Sequence, residues 1–142
     1  MISLQVKKRI LITLVLVLLM MFAFILMNKK IINSIWFKIQ WGINCPFVES
    51  YYTVDDMWES YNIYSCSEND KKVLKTSLYK QKPTKYWEEE ITGYLENLNV
   101  DPVMYPSFPE VDYCIRRQKG DAELIMLMNS SQDVLYVYIC TR

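Results

Sequence analysis

The chain has 142 residues, with 16 basic and 16 acidic side chains and no histidine. That length supports one modest domain, and the missing histidine removes the Ser-His and Cys-His nucleophile pairs and the usual zinc and iron ligand sets. Past residue 27 the balance is 13 basic to 16 acidic residues, a net −3, which argues against a nucleic-acid binder, since that function brings a basic excess.

Residues 10–27, ILITLVLVLLMMFAFILM, contain no charge, glycine or proline. As a helix they cover about 27 Å, close to the ~30 Å hydrocarbon core of a bilayer. Lys7-Lys8-Arg9 precede the run and Asn28-Lys29-Lys30 follow it, so long cationic side chains can reach both headgroup layers. A cleaved signal peptide needs small residues before its cleavage site. The single alanine, Ala23, lies between Phe22 and Phe24, so the expectation is an uncleaved, single-pass signal anchor.

Three basic residues before the run (Lys7, Lys8, Arg9) and three soon after it (Lys29, Lys30, Lys38) leave the positive-inside balance near a tie. The cysteines break it. Cys45, Cys66, Cys114 and Cys140 all follow the run, an even number that suggests a disulfide framework in an oxidising compartment. The expected map is a cytoplasmic segment 1–9, a transmembrane anchor 10–27, a juxtamembrane helix 28–41 and an extracytoplasmic domain 42–142, periplasmic in a bacterium.

In the juxtamembrane segment Ile31, Ile32, Ile35, Trp36 and Ile39 fall at helical spacing, predicting an apolar face against the membrane or the domain. Trp36 and Trp41 suit the headgroup level. From Gly42 through Cys45-Pro46-Phe47-Val48 to Tyr52 the chain reads as extended. Thr53-Val54-Asp55-Asp56 resembles a capping box, and Val54, Met57, Trp58 and Tyr61 follow as a helical stripe. Ser67 to Asp70 repeats the capping pattern, while residues 73–79 fit a short helix or a strand. Six lysines between Lys71 and Lys85, with no acid among them, make a basic patch that is either solvated surface or a face for an acidic partner or anionic lipid.

The clearest helix covers residues 84–98. Pro83 precedes it, and Trp87, Ile91, Tyr94, Leu95 and Leu98 line one face. Glu88, Glu89 and Glu90 point about 100° apart in succession, so they do not converge on one atom and read as a solvated edge. Gly93 lies inside this helix, either for a close approach or merely tolerated. The proline-rich stretch PVMYPSFP, residues 102–109, is expected to be extended and stiff. It carries Tyr105 and Phe108 either as a recognition loop or as a plain crossover.

The last third reads as a three-stranded meander, residues 111–118, 122–129 and 134–141. The first strand alternates, with Val111, Tyr113 and Ile115 opposite Asp112, Cys114 and Arg116. The other two are almost continuously apolar, as burial on both faces requires. Two helices can cover one face; the other needs the residue 42–52 segment, the juxtamembrane helix or a partner. Proximity favours Cys45 with Cys66 and Cys114 with Cys140. If the middle strand separates the outer two by about 9.6 Å, however, Cys114 and Cys140 are too far apart to bond.

The expected fold class is therefore α+β: one N-terminal transmembrane helix, then a small disulfide-stapled domain with two or three helices on an antiparallel sheet. No CxxC, P-loop or dinucleotide fingerprint occurs. A carboxylate pair for glycan cleavage and a glycosylation acceptor at Asn129-Ser130-Ser131 are the remaining chemical motifs. The expectation is a non-catalytic protein-binding module without cofactor or metal, of the inhibitor or immunity type, using Tyr105, Phe108, Lys71, Lys72 and Lys75 against a protein in the periplasm or at the membrane surface. The alternative is a structural subunit of an envelope membrane assembly.

Overall fold

The computed structural model describes residues 4–46 and 50–141; Phe47 and Val48 of the expected extended stretch lie outside them. Helix α1, Leu4–Met27, has 24 residues. Its segment Gln5–Ile25 has a mean hydropathy of 2.4 and none of its residues is buried by the rest of the chain. It is long and apolar enough to cross a membrane. Lys7, Lys8 and Arg9 belong to the helix itself rather than to a separate leading segment. At Asn28 the backbone leaves helical geometry (φ −101°, ψ 74°) before helix α2, Lys29–Trp41. Gly42 closes α2 at φ 69°, donating its N–H to the Lys38 carbonyl; this left-handed cap is cheap only for glycine.

Five antiparallel strands follow: β1 Ser50–Asp55, β2 Glu59–Ser65, β3 Tyr113–Lys119, β4 Ala122–Asn129 and β5 Val134–Thr141, in the order β1-β2-β5-β4-β3. The C-terminal meander is as expected. β4 and β5 occupy the interior, which is why their runs lack polar alternation. Residues 53–61, read from sequence as the start of a helix, instead form the β1–β2 hairpin. Val54, Met57, Trp58 and Tyr61 match a helical stripe, but Tyr52 with Val54 and Tyr61 with Ile63 match the strand period equally well, and β5 pairs with β2 over its whole length. The Asp56 carboxylate accepts from the Met57 N–H in the turn rather than capping a helix.

Between β2 and β3 lie helices α3, Glu68–Leu74, and α4, Lys85–Asn97. Ser67 and Asp70 form the complete capping box expected for α3. The ambiguous 73–79 stretch is neither continuous helix nor strand: α3 stops at Leu74, and Tyr79 makes a lone bridge to Cys114. Thr84 caps α4 through the Trp87 N–H, and nothing approaches the Gly93 position within 4 Å, so that glycine is merely tolerated. The proline-rich stretch is not extended throughout. It forms two single-turn 3-10 segments, Pro102–Met104 and Phe108–Glu110.

Alternation along the strands builds two cores. The first face carries Ile115, Leu124, Met126, Met128, Leu135 and Val137, covered by Phe37 and Trp41 of α2, by Ile43, and by Leu74 of α3. The second carries Tyr61, Ile63, Ile125, Leu127, Tyr136 and Tyr138, covered by Ile91 and Leu95 of α4 and by Val100 and Val111. Each aliphatic side chain so buried contributes roughly 1.5–3 kcal/mol. Helices thus cover both faces, and Trp41, expected at the headgroups, is core.

The disulfide staples are corrected. All four cysteines are buried free thiols, with Cys45 and Cys66 on the first face and Cys114 and Cys140 on the second. Cys114 pairs across to Leu127 and Cys140 to Glu123, with β4 between their strands, so that pair is two strands apart as well as offset along them.

Candidate partner-binding surface

The sequence-predicted residues divide between the two faces. Lys71 is only 6% exposed; its ammonium binds Asp133 at 2.6 Å, Glu68 at 2.5 Å and the Ser130 carbonyl. Its hydrogen bonds to the carboxylates of Asp133 and then Glu68 hold it well above the ordinary lysine range. It is a tie between α3 and the β4–β5 turn. Lys72 on α3 and Lys75 at its C-cap are exposed, and the Lys75 ammonium lies 5.0 Å from the centre of the Tyr113 ring. Elsewhere in the basic stretch Lys82 donates to the Pro109 carbonyl and Lys85 pairs with Glu89. Tyr105 and Phe108, by contrast, pack against the second core. α3 covers the first, so the lysines and the two aromatics do not form one surface.

What the fold does gather around Tyr105 is tyrosine. β1 lies at the sheet edge, and an irregularity between Ser50 and Tyr52 leaves Tyr51 without a partner on β2. A bulge of this kind re-aims a side chain. Tyr51, Tyr52, Tyr105 and Tyr136 all come within electrostatic range of the Tyr61 phenol. Tyr52 and Tyr61 meet edge to face with ring centres 6.3 Å apart. Tyr61, 1% exposed, donates its hydroxyl to the Met104 carbonyl at 2.8 Å, and Tyr136 is held by the Ser107 backbone.

The proline-rich segment is therefore pinned to the sheet. Asp101 caps its first turn at the Val103 N–H, Lys82 holds the Pro109 carbonyl, and Glu110 accepts from Asn129 and Gln132. Tyr105 and Phe108 are half-buried, and Tyr51 remains 59% exposed. Burial pushes the phenols of Tyr51, Tyr61, Tyr105 and Tyr136 above the ordinary tyrosine range. Neutral at physiological pH, as phenols ordinarily are, they are hydrogen-bonding groups on apolar rings. The sequence signal for this group is Tyr51-Tyr52 together with Tyr61, which the helical spacing of Val54, Met57, Trp58 and Tyr61 conceals.

The second face also holds an ion cluster. Arg116 reaches Glu90 at 2.5 and 3.1 Å and Glu123 through its Nε, while Tyr94 donates to Glu90 at 2.6 Å. The Trp87 ring centre lies 5.9 Å from the guanidinium. Glu90 is thus no part of a solvated edge. Both carboxylates converge on one guanidinium and serve to fix α4 on β3 and β4. Asn129 is fully buried; its carbonyl accepts from Ser131 and Gln132 in the β4–β5 turn, so it is a turn residue closed to a glycan. Among the described residues no three Cys, Asp or Glu side chains gather as a metal-holding group. Comparison with family models, with curated proteins and with solved structures finds no match to this chain.

Proposed function

We propose that the chain is a membrane-anchored, extracytoplasmic protein-binding module of the inhibitor or immunity type, acting without catalysis, with α1 as its single transmembrane anchor and its domain in the periplasm of a bacterium. The observation that carries the binding reading is the tyrosine cluster, Tyr51, Tyr52, Tyr61, Tyr105 and Tyr136, at an edge strand beside a proline-stiffened loop. Tyrosines give large contact area with few rotatable bonds, and their hydroxyls pair with a partner's backbone, which is why they dominate binding hot spots. A pinned loop loses little entropy on binding. The contact group is Tyr51, Tyr52, Tyr105 and Phe108; Lys71 is taken out of it by its own ion pairs.

The membrane part of the reading is supported by the exposed apolar length of α1; basic residues stand at both ends of the span, so its direction rests on the vesicle experiment that follows. Free thiols remove the cysteine argument for the compartment. Protease protection on right-side-out vesicles tests the direction: the domain is degraded without detergent if it lies outside. Photocrosslinking from position 51 in the native membrane tests the binding site. It yields a defined protein adduct, lost on Tyr105→Ala, whereas full partner recovery by Tyr51→Ala, Tyr105→Ala protein removes the tyrosine surface from the reading.

A further inference from the structure

Helix α2 has two apolar sides and the domain uses one of them. Phe37 and Trp41 enter the first core. On successive turns Ile31, Ile35 and Ile39 align with Trp36 beside them, roughly 180° round the helix from the buried pair. This second stripe is bare: Ile31 is 39%, Ile35 50%, Trp36 45% and Ile39 75% exposed. Four large apolar side chains in a row on a 13-residue helix are too contiguous to be scattered surface residues.

We propose that this stripe seats in the lipid headgroup–acyl boundary, with α2 lying along the membrane and sandwiched between the bilayer and the first face of the sheet. The inference rests on α1 spanning the bilayer, as read above. One residue, Asn28, separates the two helices, and it is not helical, so α2 is free to leave the axis of α1. Standing upright instead, α2 would carry Ile39 about 18 Å beyond Met27, far outside a headgroup layer of roughly 7 Å, and leave the stripe in water. Lying flat brings all four side chains to one depth. Tryptophan favours that level, and Lys38 beside the stripe suits anionic headgroups. The domain's orientation follows: α4 and the tyrosine cluster, on the opposite side of the sheet, face away from the membrane.

The test uses the full chain reconstituted in phosphatidylethanolamine–phosphatidylglycerol vesicles containing brominated acyl chains, with an environment-sensitive thiol label at one position at a time. The variants are Leu16→Cys in α1, Ile39→Cys on the stripe and Tyr86→Cys, an exposed site on α4, with the unsubstituted chain as the blank for its four buried thiols. The expected result is strong quenching at positions 16 and 39, roughly threefold or more above that at 86. Quenching at 16 with position 39 no better than 86 overturns the seated helix while leaving the anchor intact. No quenching at 16 removes the anchor and the inference with it. Efficient 39-to-39 crosslinking between chains, without lipid quenching there, overturns it in favour of a second copy.

Discussion

The two faces of the sheet are made by alternate residues of the same strands, yet they differ in chemistry. The first is aliphatic and thioether-rich, with Leu124, Met126, Met128, Leu135 and Val137 under α2 and α3. The second mixes aliphatics with Tyr61, Tyr136 and Tyr138, carries the Arg116 ion cluster, and runs out at the β1 edge into Tyr51 and Tyr52. An aliphatic face can only be buried, so it is closed by the chain's own helices and, through α2, turned toward the lipid in the orientation proposed above. A tyrosine face keeps polar tips at its rim and remains useful to a partner. Under the function proposed above, stability falls to the first side and recognition to the second.

That assignment can be broken by substitution. Leu124→Ala, at a fully buried first-face site, is expected to cost about 3–5 kcal/mol, read as a lowered urea midpoint at unchanged slope in detergent micelles; a cost under about 1 kcal/mol would mean the first core is loosely packed. Alkaline pH acts next. Burial, followed by the nearby Asp70 charge, pushes Cys66 from 9.0 to about 11. A thiol that holds its proton longer when folded contributes stability that is intact below pH 9.0 and is lost as pH rises toward 11, on the order of 2 kcal/mol. Cys66→Ser flattens that slope in unfolding titrations, whereas an unchanged slope assigns it to the tyrosines.

Smaller effects separate the second face into its parts. Arg116→Ala leaves Glu90 and Glu123 facing each other and is expected to cost about 2 kcal/mol, below the fully buried case because the guanidinium is partly solvated. The double variant with Glu123→Gln recovers part of the loss if charge, not packing, is its source. Tyr61→Phe removes one hydrogen bond to the Met104 carbonyl and costs about 1 kcal/mol; partner binding weakens with it if the loop has to be held in place. Tyr51→Ala changes stability by less than about 0.5 kcal/mol but reduces partner capture, the sharpest split between the two roles. Equal losses of stability and capture would erase it.

Features set within a few residues were legible in advance. The Ser67–Asp70 box, the Thr84 cap of α4 and the three strands of the meander need only local hydrogen bonds or unbroken apolar runs. The β1–β2 hairpin was not legible, because Val54 and Tyr61 satisfy two periods at once and pairing with β5, some 75 residues on, makes the choice. Glu90 is hidden for a related reason: it ends a run of three glutamates, and its partner is Arg116, on another element. Of the candidate site, Tyr105 and Phe108 were visible as aromatics between prolines, but Tyr51, Tyr52 and Tyr61 join them only through the hairpin.

By itself the sequence determined that one apolar run is long enough to span a membrane, that a mixed domain follows it, and where α3 and α4 begin. Hydropathy and capping act over one or two turns and are read locally, although pairing with β5 overrides the capping pattern at Thr53–Asp56. The tertiary structure alone decided that the cysteines divide two and two between the faces, that Trp41 rather than Trp36 enters the core, and that the tyrosines meet at one edge. Each of these depends on which strand lies beside which, and strand order is fixed by burying both faces of the whole sheet at once.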